Sequence, residues 1–213
     1  MTKWRVACID LDGTLVVGTS TCQHLGVYFG HGEVIRRLER RYAAGEMSNR
    51  DVALEDAKYY RGRRIADVAH ALESLPLIRG IERTVTALHD RGMRVLLTTV
   101  TWSFAAKIVA ERFGFDGWSG CVMAESQDGI LSGTVEQHFT EFDKVRYVER
   151  YCQRYRIEME GVLAVGDSRS DIPLFQVVGH SIAVNATEAA RKAASCAIET
   201  NDLFDVLAEI PNA

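Results

Sequence analysis

From Gly80 to the C-terminus, short apolar runs alternate with stretches of helical periodicity. Residues 81–91 read as a helix closed by Gly92, 95–99 as an apolar strand, and 104–113 as a helix closed by Gly114. Residues 142 to about 154 read as a helix and 162–165 as a strand running into Gly166-Asp167. Residues 182–184 read as a further strand and 188–194 as a helix. A short strand at 197–198 and a C-terminal helix complete the pattern. A first apolar run, residues 6–9, precedes them all and stops at Asp10-Leu11-Asp12-Gly13-Thr14. Strands alternating with helices imply an α/β fold, a doubly wound, mainly parallel, Rossmann-like sheet.

One stretch breaks the alternation. Between the first strand and Pro76 the pattern is helical throughout: Leu25, Tyr28 and Phe29, then Val34, Ile35 and Leu38, recur at helical spacing. Ser48 has the character of an N-cap for a helix reaching about Tyr60, and residues 64–73 carry Ile65, Val68, Ala69 and Leu72 on one face. The expected organisation is a core of residues 1–15 and 79–213 with a helical insertion at 16–78. Residues 121–136 read as a hairpin turning at Asp128-Gly129.

Composition narrows the function classes. The chain has 213 residues, 47% of them hydrophobic, and a net charge of −4, so a basic nucleic-acid footprint is not expected. No apolar run reaches the length of a membrane span, and the N-terminus lacks a signal-peptide core. Five cysteines without a CxxC pair fit reduced thiols and a cytoplasmic protein. A monomer or homodimer is expected. The basic residues of the insertion, Arg36, Arg37, Arg40 and Arg41, interleave with Glu39 and Glu46 and read as a solvated face.

The chemistry-bearing residues gather where an open α/β sheet binds ligands, at the carboxyl ends of its strands. The first strand delivers Asp10 and Asp12, the second Thr98 and Thr99, and the third Asp167 with Ser168, Ser170 and Asp171 close behind. Lys144 lies on the helix before that third strand. Crowded carboxylates resist joint ionisation unless a divalent cation joins them, and hard oxygen ligands with a substrate phosphate suit Mg²⁺. Lys144 and Thr99 are then placed to neutralise and hydrogen-bond phosphoryl oxygens, and one carboxylate is free to act as nucleophile.

Asp10-Leu11-Asp12-Gly13-Thr14, Thr99, Lys144 and Gly166-Asp167-Ser168-Arg169-Ser170-Asp171 resemble, in order, the four signatures of the haloacid dehalogenase superfamily in its phosphatase form. The insertion resembles that superfamily's C1 cap. The hairpin and Ala183-Val184-Asn185 are most similar to the phosphoserine phosphatase-like branch. The resemblance implies Asp10 as nucleophile forming an aspartyl-phosphate and Asp12 as general acid, then general base. It implies Mg²⁺ held by Asp10, the Asp12 carbonyl and Asp167, and phosphate contacts from Thr99 and Lys144. Asp171 would orient the metal shell or Lys144, and Thr14 would brace the Asp10 carboxylate from behind.

The expected activity is Mg²⁺-dependent hydrolysis of a small phosphorylated metabolite. Alternatives are phosphoserine hydrolysis proper, a phosphotransferase or phosphomutase, and a non-catalytic protein that binds Mg²⁺ or phosphate. Phosphoserine phosphatases use an acid soon after the first signature and an arginine in the middle cap helix. Here Ser20-Thr21-Cys22-Gln23-His24 has no acid and the arginine position falls near Asp56. Phosphoserine is therefore not the expected substrate, unless another cap residue such as Glu33 or Arg61 compensates. His24, close behind the first signature, is a candidate to face the substrate.

Overall fold

The computed structural model describes residues 3–211. Six strands form one parallel sheet: β1 Val6–Ile9, β2 Arg94–Leu97, β3 Gly117–Trp118, β6 Val162–Gly166, β7 His180–Val184 and β8 Cys196–Ile198. Their order across the sheet is β3-β2-β1-β6-β7-β8, so the chain winds outward from β1 in one direction and then in the other. The doubly wound, Rossmann-like expectation holds, and the reversal at β1/β6 puts a ligand crevice above those strands.

Alternating side chains show why this sheet is parallel and central. Ala7, Ile9, Val95, Leu97, Leu163 and Val165 belong to one core cluster. Val6, Cys8, Leu96, Val162 and Ala164 belong to a second. Both faces are apolar and covered, the arrangement that βαβ crossovers produce. Helices α5 (Ile81–Asp90), α6 (Ser103–Phe113), α7 (Glu141–Tyr155), α8 (Ile172–Phe175) and α9 (Glu188–Ala193) supply the cover. Residues 203–208 form a 3₁₀ segment, where the sequence suggested an α-helix. The Asp202 side chain accepts from the Phe204 N–H two residues on, a tight local bond that suits the shorter turn.

The insertion holds α1 (Thr21–Phe29), α2 (Gly32–Ala43), α3 (Asn49–Ala57) and α4 (Ile65–Leu72). Its entry and exit run side by side: the Val17 N–H donates to Pro76 O (3.0 Å) and the Ile78 N–H to Leu15 O (2.8 Å). Ser48 caps α3 in a reciprocal box with Asp51. The hairpin, β4 (Val122–Glu125) with β5 (Leu131–Gln137), forms a separate two-stranded sheet. It bonds to the insertion through Gly62 N–H to Leu131 O and Ile65 N–H to Gly129 O, both 2.8 Å. Among the described residues no helix is long and apolar enough to cross a membrane.

Candidate active site

Register brings the strand ends together. Ile9 pairs with Leu97 on one side and Val165 on the other. The Asp10 N–H still bonds Val165 O (2.9 Å) and the Thr98 N–H bonds Ile9 O (2.8 Å). Asp10, Thr98 and Gly166 are thus the next residues along three aligned strands, and the polar segments after them share one edge.

Lys144 organises the floor. A capping box between Thr140 and Asp143 fixes the first turn of α7, and Lys144 is the next residue. Its ammonium, fully buried, donates to Asp10 Oδ1 (2.6 Å), Asp171 Oδ1 (2.7 Å) and Ser170 Oγ (3.2 Å). Those three contacts use all three donors of an ammonium. Burial alone would push the Lys144 pKa down, but Asp10 and Asp171 more than offset it and hold the pKa above its ordinary value. The other oxygen of Asp171 accepts from the Asp167 and Ser168 N–H groups (both 3.1 Å), which ties down the loop after β6. Asp171 therefore orders that loop as well as the lysine. Gly166 makes room for it, since a Cβ there would lie 2.3 Å from Asp171 Cγ.

Asp167 comes in over Gly13. That glycine has φ +90°, and a Cβ on it would meet Asp167 Oδ2 at 2.2 Å. Side-chain oxygens of Asp10, Asp167 and Asp171 lie within 4.8 Å of one another. Burial and the Asp171 charge raise Asp167 to about 7. Burial also raises Asp10, with Asp171 adding to the rise and Lys144 opposing it. Clustered, desolvated carboxylates are a hard-oxygen donor set that fits Mg²⁺. Thr14 departs from expectation. Its hydroxyl donates to Asp167 Oδ1 (3.5 Å), not to Asp10, because Asp167 packs directly on the Gly13 turn while Lys144 engages Asp10.

Asp12 lies with Asp10 at the cavity. Its Oδ1 accepts from both the N–H and the hydroxyl of Thr21, each at 2.6 Å. Burial raises its pKa and the Thr21 bonds partly counter the rise. Thr99 sits beyond the end of β2, which stops at Leu97 because the Thr99 N–H turns to Ser119 Oγ (2.9 Å). Ser119 donates back to Thr99 O (3.0 Å), and the Thr99 hydroxyl accepts from the Thr101 N–H (3.2 Å), so its own proton is free to donate elsewhere.

Above this floor lies a cavity of about 580 Å³, bounded below by Asp10, Asp12, Thr99 and Asp167. The insertion forms its roof with Gln23, Arg36, Glu39, Tyr42, Asn49 and Asp56. Roof and floor touch directly: the Trp102 indole donates to Asp56 Oδ2 (2.6 Å), and Asn49 donates to Phe139 O (2.8 Å). The Arg169 guanidinium stacks 3.9 Å over the Tyr42 ring. Asp56 does line the cavity, but Trp102 and His31 (3.3 Å) already hold its oxygens. His24 does not line it and turns to Ala71 O (2.9 Å). Neither Glu33 nor Arg61 is in the roof; Arg61 packs against Gly133 of the hairpin.

Three residues were not legible as site components. Thr21 and Ser119 act through tertiary contacts without a periodic signal. Glu39 carried one, since it follows Gly32 by seven residues and Ile35 by four, both on the buried face of α2.

Comparison with known proteins places these features in context. Residues 7–176 match the family model of haloacid dehalogenase-like hydrolases. A phosphoserine phosphatase of Methanocaldococcus jannaschii is 25% identical over 206 residues, covering 96% of this chain and 97% of the relative. One from Archaeoglobus fulgidus is 26% identical over 200 residues, but they make up only 58% of that relative's length and 93% of this chain. A solved phosphoserine phosphatase structure with a phospho-aspartyl intermediate analogue aligns with a TM-score of 0.84 at 25% identity. That alignment covers 98% of this chain and 99% of the other.

Proposed function

The chain belongs to the haloacid dehalogenase-like hydrolase family, and on that premise we propose that it is a Mg²⁺-dependent phosphomonoesterase for a small phosphorylated metabolite. The observation that carries this reading is Asp10: a buried carboxylate on the cavity floor, one oxygen held by Lys144, flanked by Asp12 and Asp167. Asp10, Asp167 and the Asp12 carbonyl would hold Mg²⁺, whose charge lets a carboxylate approach a phosphate dianion.

In the first step the Asp10 oxygen not held by Lys144 attacks phosphorus, and the ester P–O bond breaks. The departing alkoxide takes a proton from Asp12. Since Oδ1 accepts both Thr21 bonds, that proton resides on Oδ2. Burial, which raises the Asp12 pKa, favours the protonated form this step needs. In the second step the Asp12 carboxylate takes a proton from water, which attacks phosphorus and releases phosphate from Asp10. Thr99 donates its free hydroxyl proton to a phosphoryl oxygen. Lys144 turns the donor it spends on Ser170, its longest contact, to another.

The test is phosphate release from a panel of phosphorylated metabolites and p-nitrophenyl phosphate, with Mg²⁺ present. Asp10→Asn, nearly isosteric, should abolish turnover in a folded protein. A wild-type protein that hydrolyses no ester in the panel would instead favour the non-catalytic binding alternative.

A further inference from the structure

The roof of the cavity is unevenly charged. Glu39 reaches down from α2 and accepts a hydrogen bond from the hydroxyl of Ser20, the N-cap of α1. Among the described residues no Lys, Arg or His lies within ion-pair distance of its carboxylate. Its pKa is raised to about 7, chiefly by burial, with Asp12 and Asp56 adding to the rise and the Ser20 bond opposing it. A carboxylate in that position receives no counter-charge from the described residues.

Its neighbours are unsatisfied as well. Both amide atoms of Gln23 and the hydroxyl of Tyr42 are sealed from solvent without a hydrogen-bond partner, and both residues line the same cavity. Buried polar atoms without partners are costly and uncommon, so their clustering around Glu39 calls for an explanation. Arg36 is the one Lys or Arg among the described cavity-lining residues, and its half-exposed side chain is paired with Glu33. The roof thus offers an unpaired anion, neutral donors and acceptors, and no buried cation.

Resting on the phosphatase reading above, we propose that the alcohol part of the substrate carries an ammonium group and no carboxylate, and that Glu39 receives the ammonium beside Gln23. A neutral hydroxyl would hydrogen-bond to Glu39 but leave its charge uncompensated. A zwitterionic amino acid ester would satisfy Glu39 yet set its own carboxylate among Glu39 and Asp56 with no buried cation to meet it, which is strongly unfavourable. The chemical class is therefore a phosphorylated amino alcohol, or an amino sugar or aminocyclitol phosphate, which a cavity of about 580 Å³ accommodates.

The test uses the full chain with Mg²⁺ and matched esters: phosphoethanolamine, phosphoserine and ethylene glycol phosphate, then glucosamine 6-phosphate and glucose 6-phosphate. Each amine ester should exceed its hydroxyl counterpart at least tenfold in kcat/KM, and phosphoethanolamine should exceed phosphoserine. Glu39→Gln should collapse the amine-to-hydroxyl ratio towards one, chiefly through KM, whereas Glu39→Asp should retain part of it. Gln23→Leu serves as an independent variant and should lower the same ratio. Turnover of p-nitrophenyl phosphate without any amine preference would overturn this inference and leave the phosphatase reading standing; no turnover of any ester would remove that reading instead. Phosphoserine as the best substrate, with its advantage lost in Arg36→Ala, would also overturn it.

Discussion

Thr21 grips Asp12 with two hydrogen bonds to the same oxygen, one from its backbone N–H and one from its hydroxyl, each 2.6 Å long. Thr21 is the first residue of α1, so the start of the insertion's first helix fixes the carboxyl group proposed as the general acid. Entry into the insertion and orientation of the proposed acid are one structural event.

Replacing Thr21 by Val keeps the shape and the backbone bond but removes the hydroxyl donor. A hydrogen bond of this kind contributes about 1–2 kcal/mol, so kcat should fall about tenfold for alkyl phosphates. Aryl phosphates, whose leaving groups need little protonation, should lose much less. Steady-state kinetics on both classes check this. An equal loss in both would assign Thr21 to folding alone.

Lys144 is fully buried between two carboxylates. Its removal in Lys144→Met leaves Asp10 and Asp171 without their common counter-charge, and breaking a buried pair in this way costs about 3–5 kcal/mol. The urea midpoint should drop accordingly. Adding Asp171→Asn removes one stranded charge and should recover part of the loss while activity stays absent. A double variant no more stable than Lys144→Met would argue against charge as the cause.

The sheet was readable because its physics is local. Runs such as residues 6–9 and 162–165 are apolar on both faces, as strands buried on both faces must be. The assembly of Asp10, Thr99 and Asp167 at one edge then follows from topology alone. β3 escaped notice because it is two residues long, Gly117–Trp118, too short for any period. The grip of Thr21 on Asp12 spans the eight residues between them, whose path no pattern encodes. Glu39 is hidden in the sequence for a different reason. Its arginine neighbours Arg36, Arg37 and Arg40 are exposed, and that charge run masked a position in phase with Ile35.

Gly13 links backbone geometry to the proposed Mg²⁺ site. Mg²⁺ should stabilise the wild-type protein by about 2.7 kcal/mol at a hundred times its dissociation constant, seen as a rise in Tm that EDTA reverses. Asp167→Ala should remove most of that rise. Gly13→Ala should do the same without replacing any proposed ligand, because φ is +90° and the new methyl would lie 2.2 Å from Asp167 Oδ2. A full Mg²⁺ response in Gly13→Ala would show that Asp167 can be displaced without consequence.

Glu39 makes a prediction about stability that is separate from substrate choice. Its pKa is about 7 in the folded protein against an ordinary 4.5, chiefly through burial, with Asp12 and Asp56 adding to the rise and Ser20 opposing it. Between those two values the folded state holds a proton that the unfolded chain has already released. Stability therefore falls as pH rises from about 4.5 to 7, and the whole penalty is present above that. A shift of this size corresponds to about 2–3 kcal/mol after allowance for partial exposure. Glu39→Gln keeps an acceptor for Ser20 and removes the titration. The variant should match the wild type at pH 4.5, exceed it in urea midpoint at pH 8, and show a shallower decline between. Gain of stability on losing a polar pocket residue is the pattern expected of a group kept for a ligand. A variant less stable than wild type at pH 8 would make Glu39 a structural residue of the insertion.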